Sequence, residues 1–277
     1  MPVLDAPARV YVCDLPVDAH TVPTLLDDVA RRVGTRDRST IGYLNVHVAN
    51  VAADHPDVAA FLRGLDVCYA DGAGVVLGAR ILGARLPGRM TGADWIHPFA
   101  DRAVAAGWRV AWIGGEDGVV AAAERALAAR HPGFHLVFGH HGHFGKQGPE
   151  TAAVLAGVAD AAPDVLLVGM GSPVQERWVA EHRAAIAATV TWCVGATADF
   201  VSGRVPRGPA VLHRNQEWLA RLLVDPRRLW RRYLLGNPRF LARVASERMR
   251  HVEVPLKPGA PGNPVRGERR GEGDPTD

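Results

Sequence analysis

Residues Val165–Val179 read VLLVGMGSPVQERWV, an apolar run that stops at a glycine-rich turn and restarts as a helix. Val165–Val168, bounded by Pro163 and Gly169, suits a strand buried on both faces of a parallel sheet. Gly169 and Gly171 allow positive φ and close backbone approach, Ser172 is a candidate cap, and Pro173 fits the first helical position. A helix starting there turns its N–H groups toward whatever sits above the sheet, commonly a phosphate. Gln175 and Glu176 are then expected to be the side chains nearest a nucleotide or sugar. The plain alternative is a turn that only links strand to helix, and glycines alone do not decide between the two.

The same strand–glycine–helix rhythm recurs on both sides of this stretch. Strands are expected at Val10–Cys13, Ile41–Val46, Val67–Tyr69, Arg109–Ile113, His135–Phe138 and Val190–Val194. Helices are expected at Val22–Val33, after the strand ending at Val46 and through Ala60 and Leu62, and at Val75–Leu82, Val119–Arg130, Pro149–Ala161 and Val174–Ala188. Such alternation predicts an α/β fold, a Rossmann-like parallel sheet covered by helices on both faces. Polar residues at the strand ends of such a sheet point into a ligand crevice. Asn45 ends one strand, and Asp71 ends another, directly before Gly72-Ala73-Gly74. A carboxylate on a rigid element at the crevice is well placed as a general base; its competing role is a helix N-cap. Arg89 suits a phosphate or carboxylate fork, with Thr91 and Asp94 able to cap the next helix and an ordinary salt bridge as the alternative. Gly114 closes a further strand, and Asp199 follows the turn at Gly195. His140, His141 and His143 share a glycine-rich loop, but no acidic or cysteine partner is spaced to complete a metal site, so no metal is expected.

From Val211 the pattern changes to three expected helices, Leu212–Val224, Arg227–Leu235 and Phe240–Met249, separated by Pro226 and Gly236-Asn237-Pro238. Between Arg204 and Arg250 there are twelve arginines against Glu217, Asp225 and Glu247, a net +9 in a chain whose total is +3. Arginine opposite aromatic and aliphatic faces suits an anionic membrane surface, and equally a helical cap with a solvated basic face. The domain reading is therefore residues 1–210 as the α/β catalytic unit, 211–253 as a C-terminal basic helical appendage and 254–277 as a disordered tail rich in Pro, Gly and charge. Cys13, Cys68 and Cys193 lie apart in apolar surroundings, which points to buried thiols and a reducing compartment. No charged-then-apolar leader and no apolar run of about 20 residues is present, so no membrane crossing is expected.

The ordered series Tyr69-Ala70-Asp71-Gly72-Ala73-Gly74, Arg89-Met90-Thr91-Gly92-Ala93-Asp94, Gly169-Met170-Gly171-Ser172-Pro173-Val174-Gln175-Glu176 and Gly195 through Gly203 resembles the WecG/TagA/CpsF glycosyltransferases. Glu217–Leu222 and Pro226–Tyr233 resemble that family's arginine-rich ending. The resemblance implies an inverting, metal-independent transfer of a sugar (N-acetylhexosamine, hexuronic acid or hexose) from a UDP-sugar donor to a polyprenyl-diphosphate-linked saccharide. It implies no cofactor, and a place at the cytoplasmic face of the cell membrane, in surface-polysaccharide or wall-polymer synthesis. It assigns Asp71 as the base and Asn45, Arg89 and Gln175 as donor or acceptor contacts. The candidate binding set also takes in Gly72, Thr91, Asp94, Gly114, Gly169, Gly171, Pro173, Glu176, Asp199 and Arg207. Three positions depart from the family pattern: Tyr43-Leu44-Asn45 for Thr-x-Asn, Gly142-His143-Phe144 for Gly-Tyr-Phe, and Arg207-Gly208-Pro209 for Arg-Ala-Pro.

Two other classes compete. An NAD-dependent oxidoreductase needs Gly-x-Gly-x-x-Gly, and Val174 stands where the third glycine is required. A non-enzymatic RNA- or membrane-binding module explains the arginines but leaves Asp71, Arg89 and the glycine turns without a purpose, so no nucleic-acid partner is expected. An exposed amphipathic appendage also allows a homo-oligomer.

Overall fold

The computed structural model describes residues 7–204, 230 and 234–253. Its strands are β1 (Arg9–Val12), β2 (Leu15–Asp18), β3 (Ser39–Leu44), β4 (Val67–Ala70), β5 (Val110–Gly114), β6 (Leu136–His140), β7 (Val165–Gly169) and β8 (Val190–Cys193). They form one sheet in the order β1-β2-β4-β3-β8-β7-β5-β6, in which only the β1–β2 pair is antiparallel. Helices are α1 (Val22–Thr35), α2 (Val46–Asp54), α3 (Pro56–Arg63), α4 (Ala73–Ile81), α5 (Gly92–Ala106), α6 (Val119–Arg130), α7 (Gly148–Ala161), α8 (Val174–His182), α9 (Thr197–Val201) and α10 (Gly236–Glu253). The expected α/β sheet is the one observed.

Alternation along each strand sends side chains to two separate cores. On one face Val110, Trp112, Val165, Leu167 and Trp192 meet apolar residues of α1, α5, α6 and α9. On the other, Ala111, Ile113, Leu166 and Val168 meet α7 and α8, while Val12, Val17, Leu44 and Cys68 meet α2, α3, α4 and α10. With both faces covered, the crossovers leave all the parallel strands ending on the same edge, and the crevice forms there.

Four local expectations change. Leu15–Asp18 is a strand, reached from β1 through Cys13 and Asp14 at φ 54° and 58°, a tight turn made without glycine. The single helix expected after the β3 strand and through Leu62 is two, because Pro56 has no N–H to continue α2 and instead opens α3. Pro173 is the N-cap of α8 rather than its first helical residue, after a cis Ser172–Pro173 peptide, and α8 ends at His182. Gly236-Asn237-Pro238 lies inside a helix rather than in a break: Pro238 falls in the first turn of α10, where no intrahelical N–H bond is lost. The expected helices Leu212–Val224 and Arg227–Leu235 lie almost wholly outside the described residues, and Arg207 and the tail from Leu256 lie entirely outside them.

α10 docks through Phe240 and Val244, both fully buried, against α2 and α4. Its buried Glu247 accepts the Cys13 N–H at 2.7 Å, and Asn50 of α2 donates to the Gly236 carbonyl at 2.8 Å. Arg239 grips Asp54 with two bonds of 2.6 and 2.7 Å. Among the described residues, no helix is long and apolar enough to cross a membrane.

Candidate active site

The site is assembled at the carboxyl ends of β3, β4, β5, β7 and β8. Asn45 is the N-cap of α2: its Oδ1 accepts the Val48 N–H at 2.9 Å, which fixes the rotamer and aims Nδ2 sideways. That Nδ2 donates to Asp71 Oδ2 at 2.8 Å. Asp71 is half-buried, and its backbone N–H bonds the Leu44 carbonyl at 2.8 Å, continuing the β3–β4 ladder by one residue. The N-cap of α4 is Gly72, at φ 100°, so the Asp71 carboxylate is not used as a helix cap. Asn45 and Asp71 are thereby held as a pair by two helix starts and a sheet edge.

The Arg89 segment joins this pair through its backbone. Met90 N–H bonds the Ala70 carbonyl at 2.8 Å, setting Arg89 beside the end of β4. Asp94 Oδ2 gathers the Arg89 guanidinium at 3.0 Å, the Thr91 N–H at 2.8 Å and the Thr91 hydroxyl at 2.9 Å. Thr91 is the N-cap of α5, so the capping and salt-bridge readings hold at once. Next in the helix, Gly92 leaves room for Thr197, whose hydroxyl donates to the Val194 carbonyl at 2.6 Å. Thr197 is the joint between α5 and the β8–α9 turn. Within the Gly195–Gly203 motif its only visible signal was a hydroxyl beside a helix start.

Three glycines close the floor. A Cβ on Gly114 would stand 2.5 Å from the Gly169 carbonyl oxygen, and one on Gly169 would collide with the Gly195 carbonyl. These neighbours are backbone and cannot yield, so the row requires glycine for close approach rather than for turning. Gly171 and Gly195 do have positive φ, 75° and 56°.

Gln175 and Glu176 are placed differently from expectation. They are 0% and 2% exposed, inside the protein under the turns rather than facing the crevice. Gln175 Oε1 accepts the Gly195 N–H at 3.1 Å, while its Nε2 donates to Glu176 Oε1 at 2.9 Å and to the Tyr43 hydroxyl at 3.3 Å. Ser172 Oγ, expected as a cap, donates to the same Glu176 oxygen at 2.6 Å. Burial pushes the Glu176 carboxyl up from its ordinary range, against the lowering effect of Ser172 and Gln175. This network ties β3, β7 and β8 together at their tips.

At the other end of the crevice, Gly142 N–H bonds the Gly115 carbonyl at 2.7 Å, folding the histidine loop over the end of β5. His140 Nδ1 contacts the His141 carbonyl and His141 Nδ1 accepts the His143 N–H. Among the described residues, no group of three His, Cys, Asp or Glu side chains converges on a cation position. Glu116 pairs with Arg204, which holds its carboxyl below the usual range. Asp199 sits half-buried on α9. Cys13, Cys68 and Cys193 are buried and unpaired, and burial pushes the Cys13 thiol up to about 11.

A parallel sheet whose strand tips gather a carboxylate, an arginine and close-packed glycine turns has the α/β architecture in which ligands bind at the carboxyl edge of the strands. The chain belongs to the WecG/TagA/CpsF family of glycosyl transferases, whose sequence pattern matches residues 10–253, and it is a glycosyltransferase of that family. It is 27% identical over 241 residues to the N-acetylglucosaminyldiphosphoundecaprenol N-acetyl-beta-D-mannosaminyltransferase of Staphylococcus aureus, covering 86% of this chain and 92% of that one. A protein of the same name from Bacillus spizizenii is 29% identical over 215 residues, 77% of this chain and 80% of its own length.

Proposed function

We propose that this chain is an inverting glycosyltransferase that moves a sugar, in the first place an N-acetylhexosamine, from a UDP-sugar to a polyprenyl-diphosphate-linked saccharide. The observation that carries it is the Asn45–Asp71 pair: a carboxylate fixed at 2.8 Å by an amide that is itself locked as a helix cap, at the crevice edge of a family glycosyltransferase. The S. aureus and B. spizizenii relatives, named for N-acetylmannosamine transfer to a lipid-linked acceptor, support both the sugar class and the acceptor.

The chemistry follows from the placement. An acceptor hydroxyl resting on Asp71 gives up its proton to the carboxylate as its oxygen attacks the anomeric carbon. The bond from that carbon to the diphosphate breaks on the opposite face, so configuration inverts. General-base help of this kind is worth about 10²–10⁴-fold. Asn45 keeps the accepting oxygen oriented. The departing UDP carries negative charge; Arg89, held in place by Asp94, and the N-terminal turns of α5 and α8 at the same edge offset it. We read the transfer as independent of metal and cofactor, with the basic C-terminal segment on the anionic inner face of the cell membrane.

Two measurements test this. UDP and UDP-N-acetylhexosamines should raise the melting temperature in EDTA, because a ligand that binds only the folded chain stabilises it. Asp71→Asn should abolish transfer and keep UDP binding. Stabilisation by NAD alone, or equal loss of binding and transfer in Asp71→Asn, would overturn the assignment.

A further inference from the structure

Large apolar side chains left in water are unevenly placed on this molecule. Among the described residues ten are exposed; five lie on β1, α4 or α10 and three more just precede α10, whereas Val104 and Val174 stand elsewhere. These elements form one side of the protein. α4 packs against both β1 and α10, and a Cβ on Gly78 in mid-helix would meet Phe240 and Val12. A clustered apolar surface on a folded domain marks something that covers it.

α4 shows what that is. Its inner face, Val75, Gly78 and Ala79, is buried, and its outer face carries Leu77 and Ile81, 46% and 38% exposed and one turn apart. Exposed Arg80 and Arg85 flank them, and Arg248 of α10 reaches to within 3.8 Å of a Cβ built on Gly83. Leucine and isoleucine ringed by arginine match the interface of an anionic bilayer, with aliphatic carbon below and phosphate at the level of the guanidinium groups.

The position of α4 adds a second argument. The helix begins two residues after Asp71, and at 1.5 Å rise Leu77 and Ile81 lie roughly 6 and 12 Å along it. An acceptor with its reacting hydroxyl on Asp71 has its sugar and diphosphate to fit into that interval before the prenyl chain enters lipid. We propose that α4 is a membrane-contact element: Leu77 and Ile81 dip into the interface of an anionic bilayer and hold Asp71 at the height where the lipid-linked saccharide emerges. The choice of a bilayer as occupant rests on the acceptor proposed above.

The test is flotation of the full chain with phosphatidylglycerol–phosphatidylcholine vesicles, with no donor or acceptor present. Leu77→Glu/Ile81→Glu should weaken partition about tenfold or more, since two apolar side chains lose their burial in the interface. Val104→Glu, an equally exposed residue on α5, should float as the parent does. Thermal melts identify any variant that fails to fold, and Leu77→Ser/Ile81→Ser serves in place of a misfolded glutamate pair. Unchanged flotation of the α4 variant, or an equal loss in Val104→Glu, overturns the proposal. So does a shift in sedimentation with flotation intact, which makes the face a contact between copies. Because flotation uses no substrate, a chain that floats through α4 and transfers no sugar removes the acceptor assignment and leaves the membrane face standing.

Discussion

Asn45→Asp tests the base through its neighbour. The variant keeps Oδ1 as the acceptor for Val48, and aspartate caps a helix as well as asparagine does. What changes is the donor: the Nδ2 that lies 2.8 Å from Asp71 Oδ2 becomes an oxygen of like charge. Two carboxylates about 4 Å apart repel by about 4 kcal/mol at an effective dielectric of 20. Half-exposure of Asp71 brings that to roughly 2 kcal/mol, which is about thirtyfold in the ionised fraction at 1.36 kcal/mol per factor of ten. The acid limb of the kcat/KM profile should therefore move to higher pH, with the rate falling about thirtyfold at any pH on that limb and recovering above it. Asn45→Ala behaves differently: it loses the cap, about 1 kcal/mol, and its melting temperature should drop by about 2–4 °C with no recovery of rate at high pH. The assay is initial-rate transfer from a UDP-N-acetylhexosamine across pH, beside a thermal melt. A folded Asn45→Asp enzyme with the parental limb would remove Asp71 ionisation from the rate law and the base assignment with it.

Two further substitutions probe the floor beneath the crevice. Burial raises the Glu176 pKa above its ordinary 4.5, so the folded chain holds that proton more tightly than the unfolded one, and stability declines as pH climbs from there through the folded-state value. Glu176→Gln cannot ionise and should gain on the parent in urea denaturation as pH rises; a pH-independent difference would show that the carboxyl does not titrate on unfolding. Gly169→Ala drives a methyl into the Gly195 carbonyl and should cost about 1–3 kcal/mol, read as a melting temperature several degrees lower. A parental melt would mean that the glycine row is looser than its geometry.

Most of the sheet was legible because β3, β4, β5, β7 and β8 are apolar runs that end at glycine or at a polar residue, and a parallel strand buried on both faces has little other signature. β2 was hidden: four residues with Pro16 inside, reached by a turn whose left-handed residues are Cys13 and Asp14. Its Asp18 is buried, holding Arg9 and the Cys68 N–H, a partnership across 50 positions that no local pattern reveals. The pairing of Asn45 with Asp71 was legible only as two strand ends, since the order β4-β3 decides their adjacency. Gln175 and Glu176 were read outward because the strand–turn–helix pattern fixes where α8 starts but not which of its sides packs against the sheet.

The docking of α10 also dictates when the fold can be completed. Val12 and Leu15 belong to the same core cluster as Phe240 and Val244, and the Cys13 N–H finds its acceptor on Glu247, 234 positions later. At about 5–20 residues per second, a ribosome needs roughly 10–45 s to travel from one group to the other. Throughout that interval the β1–β2 hairpin and the α4 flank it shares with α10 have an apolar wall with nothing against it. The nascent chain therefore passes through a stage in which its first strands are made but unsealed, and the docking of α10 is what ends this exposure.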